Sequence, residues 1–162
     1  MKTKLSLFIN LAVILLLFTF GNSMTTTPGS SSGNGNPAIL LFVPLIILFV
    51  ILVFQWVYMF KDKKILFKTI VIIFLVIVSH YIVGVYYQLT SYQKYRIFLA
   101  QVYEEKFGYI DWQYINSITT GLSIHINNQY FNFNTYLLIV SLSLFIWLLY
   151  QVVKQRLFIR KG

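Results

Sequence analysis

The chain has 162 residues, of which 58% are hydrophobic, 19% aromatic and 10% charged. Soluble domains carry about 25% charged residues, so this composition excludes an ordinary water-soluble globule, and 15 Phe and 12 Tyr exclude a disordered chain. The absence of Cys excludes disulfide scaffolds, thiolate metal sites and thiol redox chemistry.

The formal net charge of +9 lies in short basic patches beside apolar runs. This is the charge pattern of a membrane protein, whereas a nucleic-acid-binding face gathers its basic residues on one surface. We therefore expect the lipid bilayer as a partner and no nucleic acid.

The first apolar run, residues 5–20, follows two basic residues, Lys2 and Lys4. As a helix these 16 residues would be about 24 Å long. A membrane span needs about 20 residues to cross about 30 Å of hydrocarbon. The run is short for a span, and its basic start is typical of a secretory signal peptide.

Small residues follow this run at the two positions that signal peptidase requires, Gly21 and Ser23. We interpret residues 1–23 as a signal peptide that is cleaved between Ser23 and Met24. The alternative is an uncleaved first transmembrane helix.

Residues 24–36 are uncharged and rich in Gly, Ser, Thr and Asn, which predicts a flexible linker. Three longer apolar segments follow, at residues 37–60, 70–89 and 135–153, and each is long enough to span a bilayer. The fold class is therefore an all-α integral membrane protein, with three transmembrane helices after the signal peptide or four if it is uncleaved.

Two prolines mark the first of these spans. Pro37 stands at the helix start, where its missing N–H costs nothing. Pro44 lies further inside the segment, so we expect a kink there.

The distribution of Lys and Arg predicts the orientation, because short cytoplasmic loops are enriched in both. The favoured topology places the N-terminus, the loop 61–69 and the tail 154–162 in the cytoplasm, with ten basic residues on that side and three on the other. Residues 24–36 and 90–134 are then extracytoplasmic or lumenal. Aromatic residues agree, since Trp56 and Trp147 precede the cytoplasmic basic patches.

Within the predicted extracytoplasmic segment 90–134, the sequence pattern predicts a helix over residues 91–107 that ends at Gly108. We expect this helix to lie against the membrane surface or the bundle mouth. Residues 109–121 are ambiguous between a loop and a short helix. Residues 122–133 predict a β-hairpin around Asn127 and Asn128, with an irregular loop as the alternative. Its apolar face would consist of Leu122, Ile124, Phe131 and Phe133.

Residues that could support catalysis are few, with two His and four acidic residues in the whole chain. No metal-binding His pair, phosphate-binding loop or nucleophile motif is present in the sequence. We therefore expect no enzyme activity, no cofactor and no metal site.

His80 is the candidate for an intramembrane polar site, because it lies near the middle of the span 70–89. Gly84 and Tyr87 follow on the same helical face, and Ser143 lies at similar depth on the last span. His80 could form a hydrogen bond across the bundle while Gly84 allows close helix approach, or it could line a polar pathway.

These features predict a small multi-pass membrane protein that acts as a structural or accessory subunit through helix–helix or outer-loop contacts. The partner would be another membrane protein or a second copy of the chain. The alternative is a small oligomeric channel or transporter component in which His80 faces the pathway.

Overall fold

The computed structural model describes residues 2–30, 35–61, 63 and 65–159, with the backbone alone for residues 156–159. All regular elements in this part of the chain are helical, and no strand is present in it. The helices are α1 (Lys2–Ser23), α2 (Phe42–Met59), α3 (Phe67–Phe107), α4 (Trp112–Ile118), α5 (Asn127–Tyr130) and α6 (Phe133–Ile159), with 3₁₀ turns at Pro37–Leu41 and Ile124–Ile126.

Four segments are long and apolar enough to cross a membrane: Lys2–Ser23, Pro37–Met59, Phe67–Phe107 and Phe133–Gln155. The chain therefore has the helices of a multi-pass membrane protein. Of the predicted tail 154–162, residues 160–162 lie outside the described residues, as do positions 62 and 64 of the predicted loop 61–69.

Helix α6 is central in the bundle, since it packs against α1, α2 and α3. Helices α3 and α6 run antiparallel, with Phe74 beside Phe145 at one end and Gly84 beside Asn134 at the other. Helix α1 also packs along α2. The core shared by α1, α2 and α6 includes an aromatic cluster. In it, Phe18 lies edge-on to Phe131 and Tyr136, with centroid separations of 5.7 and 6.0 Å.

The structure does not support the predicted signal peptide, because α1 is a packed member of the bundle. Its buried residues recur every three or four positions along one face, as a packing helix requires: they are Leu7, Asn10, Ile14, Phe18 and Gly21. The signal-peptide interpretation depended on the 16-residue length of the apolar run. The helix itself continues through Ser23 and has 22 residues.

Pro44 does not lie in the interior of α2, the position on which the predicted kink depended. The chain begins this segment as a 3₁₀ turn at Pro37–Leu41, and α2 starts only at Phe42. Pro44 is thus in the first turn of α2, where the backbone N–H has no partner within the helix and its loss is tolerated.

The predicted span 70–89 and the predicted outer helix 91–107 form one continuous helix, α3, of 41 residues. At 1.5 Å per residue this helix is about 60 Å long, roughly twice the thickness of bilayer hydrocarbon. The predicted outer helix is therefore a continuation of the predicted span and not a separate element. Gly108 ends it as predicted, with a φ of 81° and its N–H bonded to the Glu104 carbonyl at 2.7 Å.

The predicted β-hairpin at residues 122–133 is wrong. Ser123 caps a 3₁₀ turn, α5 follows, and Phe131 is buried in the bundle core while Leu122 and Phe133 are exposed. Side-chain amides connect this segment to the rest of the molecule, in place of the backbone hydrogen bonds that a second strand would have provided. Asn127 is fully buried and exchanges hydrogen bonds of 2.7 and 3.0 Å with the Asn36 carboxamide.

The segment predicted as a flexible linker is bound to the rest of the molecule over residues 24–30 and 35–36, while residues 31–34 lie outside the described residues. Thr26 N–H donates to the Ile124 carbonyl, and Asn127 donates to the Met24 carbonyl. Tyr103 Oη donates to the Ser30 carbonyl at 3.1 Å.

These parts form a second packed unit, which we call the cap: residues 90–132 together with 24–30 and 35–36. The outer end of α3 and the short helix α4 enclose its apolar core. Asp111 begins α4 by accepting a hydrogen bond from Tyr114 N–H at 3.0 Å. The core residues are Leu99, Ala100, Tyr103, Ile115 and Ile118.

Candidate functional site

The structure places His80 beside a different serine from the predicted partner, Ser143. His80 is half-buried, and its Nδ1 lies 2.9 Å from Ser141 Oγ. Ser143 is fully buried and accepts a hydrogen bond from Trp56 Nε1 at 3.0 Å. Side chains two positions apart on a helix point in directions about 200° apart. Ser141 therefore faces α3, while Ser143 faces α2.

Gly84 is in close contact with α6. A Cβ atom at this position would be 2.8 Å from Leu138 Cδ2, so the Leu138 side chain would have to shift to accommodate a larger residue. Its carbonyl accepts a hydrogen bond from Asn134 Nδ2 at 3.0 Å. Tyr87 is 58% exposed and lines a cavity at the outer end of this helix pair.

A second interhelical polar cluster, between α1 and α2, was not predicted. Asn10 donates to Gln55 Oε1 at 2.9 Å and to the Leu48 carbonyl at 3.1 Å, and Gln55 donates to Ser6 Oγ at 3.0 Å. Asn10 carried a usable signal, because a carboxamide in the middle of an apolar run indicates a polar partner on another helix.

The predicted cleavage position lies at the end of α1. Ser23 Oγ donates to the Phe20 carbonyl, and Met24 packs beside the core shared by α1, α2 and α6. Gly21 is small for a structural reason, because a Cβ there would be 2.5 Å from Phe131 Cγ.

In the cap, tyrosine hydroxyls on α3 bind the carbonyls of loops that have few backbone partners of their own. Tyr92, Tyr95 and Tyr103 donate to the carbonyls of Thr119, His125 and Ser30, respectively. The three tyrosines are spaced by three and eight residues, which places them on one face of the helix.

This packing leaves an aromatic cleft of about 310 Å³ at the end of the cap. Tyr103 forms its floor, stacked on Phe107 at 5.7 Å and edge-on to Tyr114 at 5.2 Å. The cleft is lined by Gly29, Tyr103, Lys106, Phe107, Tyr109, Asp111 and Tyr114.

Two charged side chains line this cleft, Lys106 and Asp111. Lys106 Nζ donates to the Gly29 carbonyl and lies 5.5 Å from the centre of the Phe107 ring. Glu104, Glu105 and Asp111 are exposed nearby in the sequence. These are three of the four acidic residues of the chain, and within residues 90–134 they are balanced by Lys94, Arg96 and Lys106.

His125 is the buried titratable group of the cap. Its side chain is 4% exposed, and Nδ1 has no hydrogen-bond partner among the described residues. Burial lowers the pKa of this imidazole below its ordinary value of 6.5, because the charged form loses its hydration.

In the part of the chain that the structure describes, no three His, Asp or Glu side chains are grouped closely enough to hold a metal ion. The chain matches no protein-family model, no curated protein and no solved structure.

Proposed function

We propose that the protein is an accessory subunit of a membrane assembly, and that its cap binds a partner protein outside the membrane. In this proposal α1 is retained as the first of four transmembrane helices. Both chain ends are cytoplasmic and the cap is extracytoplasmic or lumenal, as the positive-inside rule favours.

The observation that carries this proposal is the group of exposed aromatic side chains around the cleft. Tyr109 is 66% exposed, Phe107 55% and Trp112 49%. Protein interfaces are enriched in such aromatic residues, and their binding energy is concentrated in aromatic anchors surrounded by a polar rim. The charged residues Lys106 and Asp111, which line the cleft, provide that rim.

The cap also holds this surface in a fixed position relative to the bundle. The part of α3 beyond Leu89 adds 18 residues, or about 27 Å of continuous helix. Hydrogen bonds from this extension to residues 29 and 30 connect it to the segment that follows α1. A surface held in advance loses less conformational entropy when it binds a partner.

The channel alternative has weaker support. Ser141 Oγ engages Nδ1 of His80. Further along the bundle, the interior is filled by aromatic contacts such as that of Phe60 with Trp147 at 4.7 Å. A pathway would therefore require further copies of the chain with His80 at their shared surface.

Site-specific photo-crosslinking in the native membrane tests this proposal. A photoreactive amino acid at position 109 should give one discrete protein adduct, and the same group at position 101 should not. Gln101 is the matched control because it is also exposed on the cap but lies two residues from Tyr103, on the opposite face of α3.

The substitution Trp112→Ser should abolish the adduct while the protein level stays unchanged. The mass of the adduct distinguishes a second copy of the chain from a different protein. Equal crosslinking from positions 109 and 101, or no protein adduct from position 109, would contradict the proposal.

A further inference from the structure

A second cavity, of about 480 Å³, lies between α3 and the beginning of α6. One wall is formed by Tyr87 and Ser91, one helical turn apart on α3. The opposite wall comprises Asn128 and Asn132 from the segment before α6, and Phe133, Asn134 and Leu137 from its first turns. Its volume is within the range of small-molecule sites, about 300–1,000 Å³.

The cavity coincides with the predicted membrane boundary. Tyr87 lies two residues before the end of the predicted span 70–89, and Ser91 lies two residues beyond it. Tyr and Trp collect at this depth because their rings are apolar and their polar ends reach water. An occupant here would meet hydrocarbon beside Leu137 and polar groups beside Ser91 and Asn128.

A network of carboxamides holds the polar wall in place. Gln88 Oε1 accepts hydrogen bonds from Asn132 and Asn134 at 3.2 and 3.1 Å, and Gln88 Nε2 donates to the Gln129 carbonyl at 2.7 Å. The hydroxyls of Tyr87 and Ser91 form no side-chain hydrogen bond with another described residue. The cavity thus combines a preformed wall with two hydroxyls that can still donate and accept.

None of the residues that line the cavity is charged. A phosphate or ammonium group placed here would lose hydration, and no residue that lines the cavity carries an opposite charge to compensate this cost. Hydroxyl groups, in contrast, can exchange hydrogen bonds with carboxamides and with other hydroxyls. The exposed apolar side chains Val83 and Phe133 extend this surface toward the bilayer.

We propose that this cavity binds the uncharged, hydroxyl-bearing headgroup of a membrane lipid, with the acyl chains along the apolar surface of α3 and α6. The site is separate from the aromatic cleft of the cap and does not depend on the partner proposed there.

Native mass spectrometry of the purified full chain in mild detergent tests this proposal with three lipids of identical acyl chains. Monogalactosyl diacylglycerol and diacylglycerol are the uncharged probes, and phosphatidylglycerol carries hydroxyls together with a negative charge. We expect one retained molecule of an uncharged lipid. The two uncharged probes distinguish a sugar from the glycerol hydroxyl as the bound group.

Two variants locate the bound lipid. Ser91→Leu fills the cavity and should weaken binding at least about tenfold, which corresponds to about 1.4 kcal/mol. The double variant Tyr87→Phe with Ser91→Ala removes both hydroxyls without adding volume and should also weaken binding. It provides the test if Ser91→Leu disturbs folding.

Lys94→Gln is the matched control, because Lys94 is exposed one turn further out on the same face of α3 and does not line the cavity. Its binding should equal that of the wild type. Failure of the wild type to retain either uncharged probe, stronger retention of phosphatidylglycerol, or a loss in Lys94→Gln as large as in Ser91→Leu would overturn the proposal.

Discussion

Single polar side chains determine which faces of these apolar helices meet. Asn10, His80 and Ser143 each find a partner on a different helix, at distances of 2.9 to 3.0 Å. Between apolar helices in a bilayer there is little hydrophobic driving force, so such hydrogen bonds help to specify the pairing. The value of each is modest, about 0.6 kcal/mol on average in measured cases.

His80 provides a direct test of this view. Gln keeps a donor and an acceptor, so His80→Gln should change the unfolding free energy little, whereas His80→Leu should lower it by about 0.5–1.5 kcal/mol. Thermal or denaturant unfolding in detergent gives these values. A double-mutant cycle should show coupling of His80 to Ser141 and none to Ser143.

The same variants address the channel alternative. A pH-dependent conductance in reconstituted vesicles that His80→Gln eliminates, with folding intact, would favour a pathway lined by His80. Coupling of His80 to Ser143 instead of Ser141 would contradict the helix pairing described above.

His125 should make the cap less stable in mild acid. Its folded-state pKa is lowered by burial, so the unfolded chain binds more protons once the pH falls below about 6.5. Stability is therefore unaffected above this pH and decreases as the pH falls toward the folded-state value. Hydrogen exchange of residues 112–130, corrected for intrinsic rates, should show more frequent opening at pH 5 than at pH 7.

The variant His125→Phe is the control for this pH dependence. It removes the titrating group and retains an aromatic ring, so the difference between pH 5 and pH 7 should largely disappear. An unchanged pH dependence in the variant would exclude His125 as its cause.

At the scale of whole elements, apolar length was reliable for the three longer segments but not for the first run, and it did not give the ends of most helices. The spans at 37–60, 70–89 and 135–153 correspond to helices, and Gly108 ends α3 as its freedom at positive φ allows. The polarity change at residue 90 does not break α3, because its tyrosine face packs against α4 and the loops. Length and composition indicate where a helix can cross a membrane, but they do not indicate where the helix ends.

Residues 122–133 show why the cap could not be predicted. Their alternation of apolar and polar residues suits a strand, but Phe131 packs under Gly21 of α1, 110 positions away in the sequence. Asn127 likewise bonds to Asn36. Both contacts depend on distant segments, so no local pattern contains them, and the aromatic cleft that these segments help to build was not predicted either.

The element α1 offers a substitution that separates its two interpretations. Gly21→Ala places a Cβ against the Phe131 ring, so in a retained helix it should lower the unfolding free energy by about 1–3 kcal/mol. Phe131→Leu in the same chain should restore part of this loss. Ala suits signal peptidase at this position, so a cleaved signal peptide would make Gly21→Ala silent in the mature protein.

Intact-mass measurement completes this test. The retained helix predicts a purified protein that includes residues 1–23, and Thr19→Ala, on the exposed side of α1, should match the wild type in stability. A mature chain that starts at Met24, with Gly21→Ala without effect, would establish the signal peptide.

On the scale of the whole molecule, packing and charge divide the protein into three zones. One end carries the basic patches, the middle is an uncharged bundle, and the cap holds three of the four acidic residues. Within the bundle α3 packs mainly on α6, which leaves apolar side chains such as Leu75, Val76 and Ile82 exposed to lipid. The three zones are arranged along α3, which begins beside the basic loop 61–69 and ends in the cap.

This arrangement predicts that the cap and the loop 61–69 lie on opposite sides of the membrane, with the loop in the cytoplasm. Because the chain has no Cys, single substitutions give clean reporters. Gln113→Cys on α4 and Lys63→Cys in the loop are both at exposed positions. An impermeant maleimide should label position 113 in intact cells and position 63 only after permeabilisation. Both variants should react fully in detergent, which controls for accessibility, and labelling of position 63 in intact cells would reverse the topology.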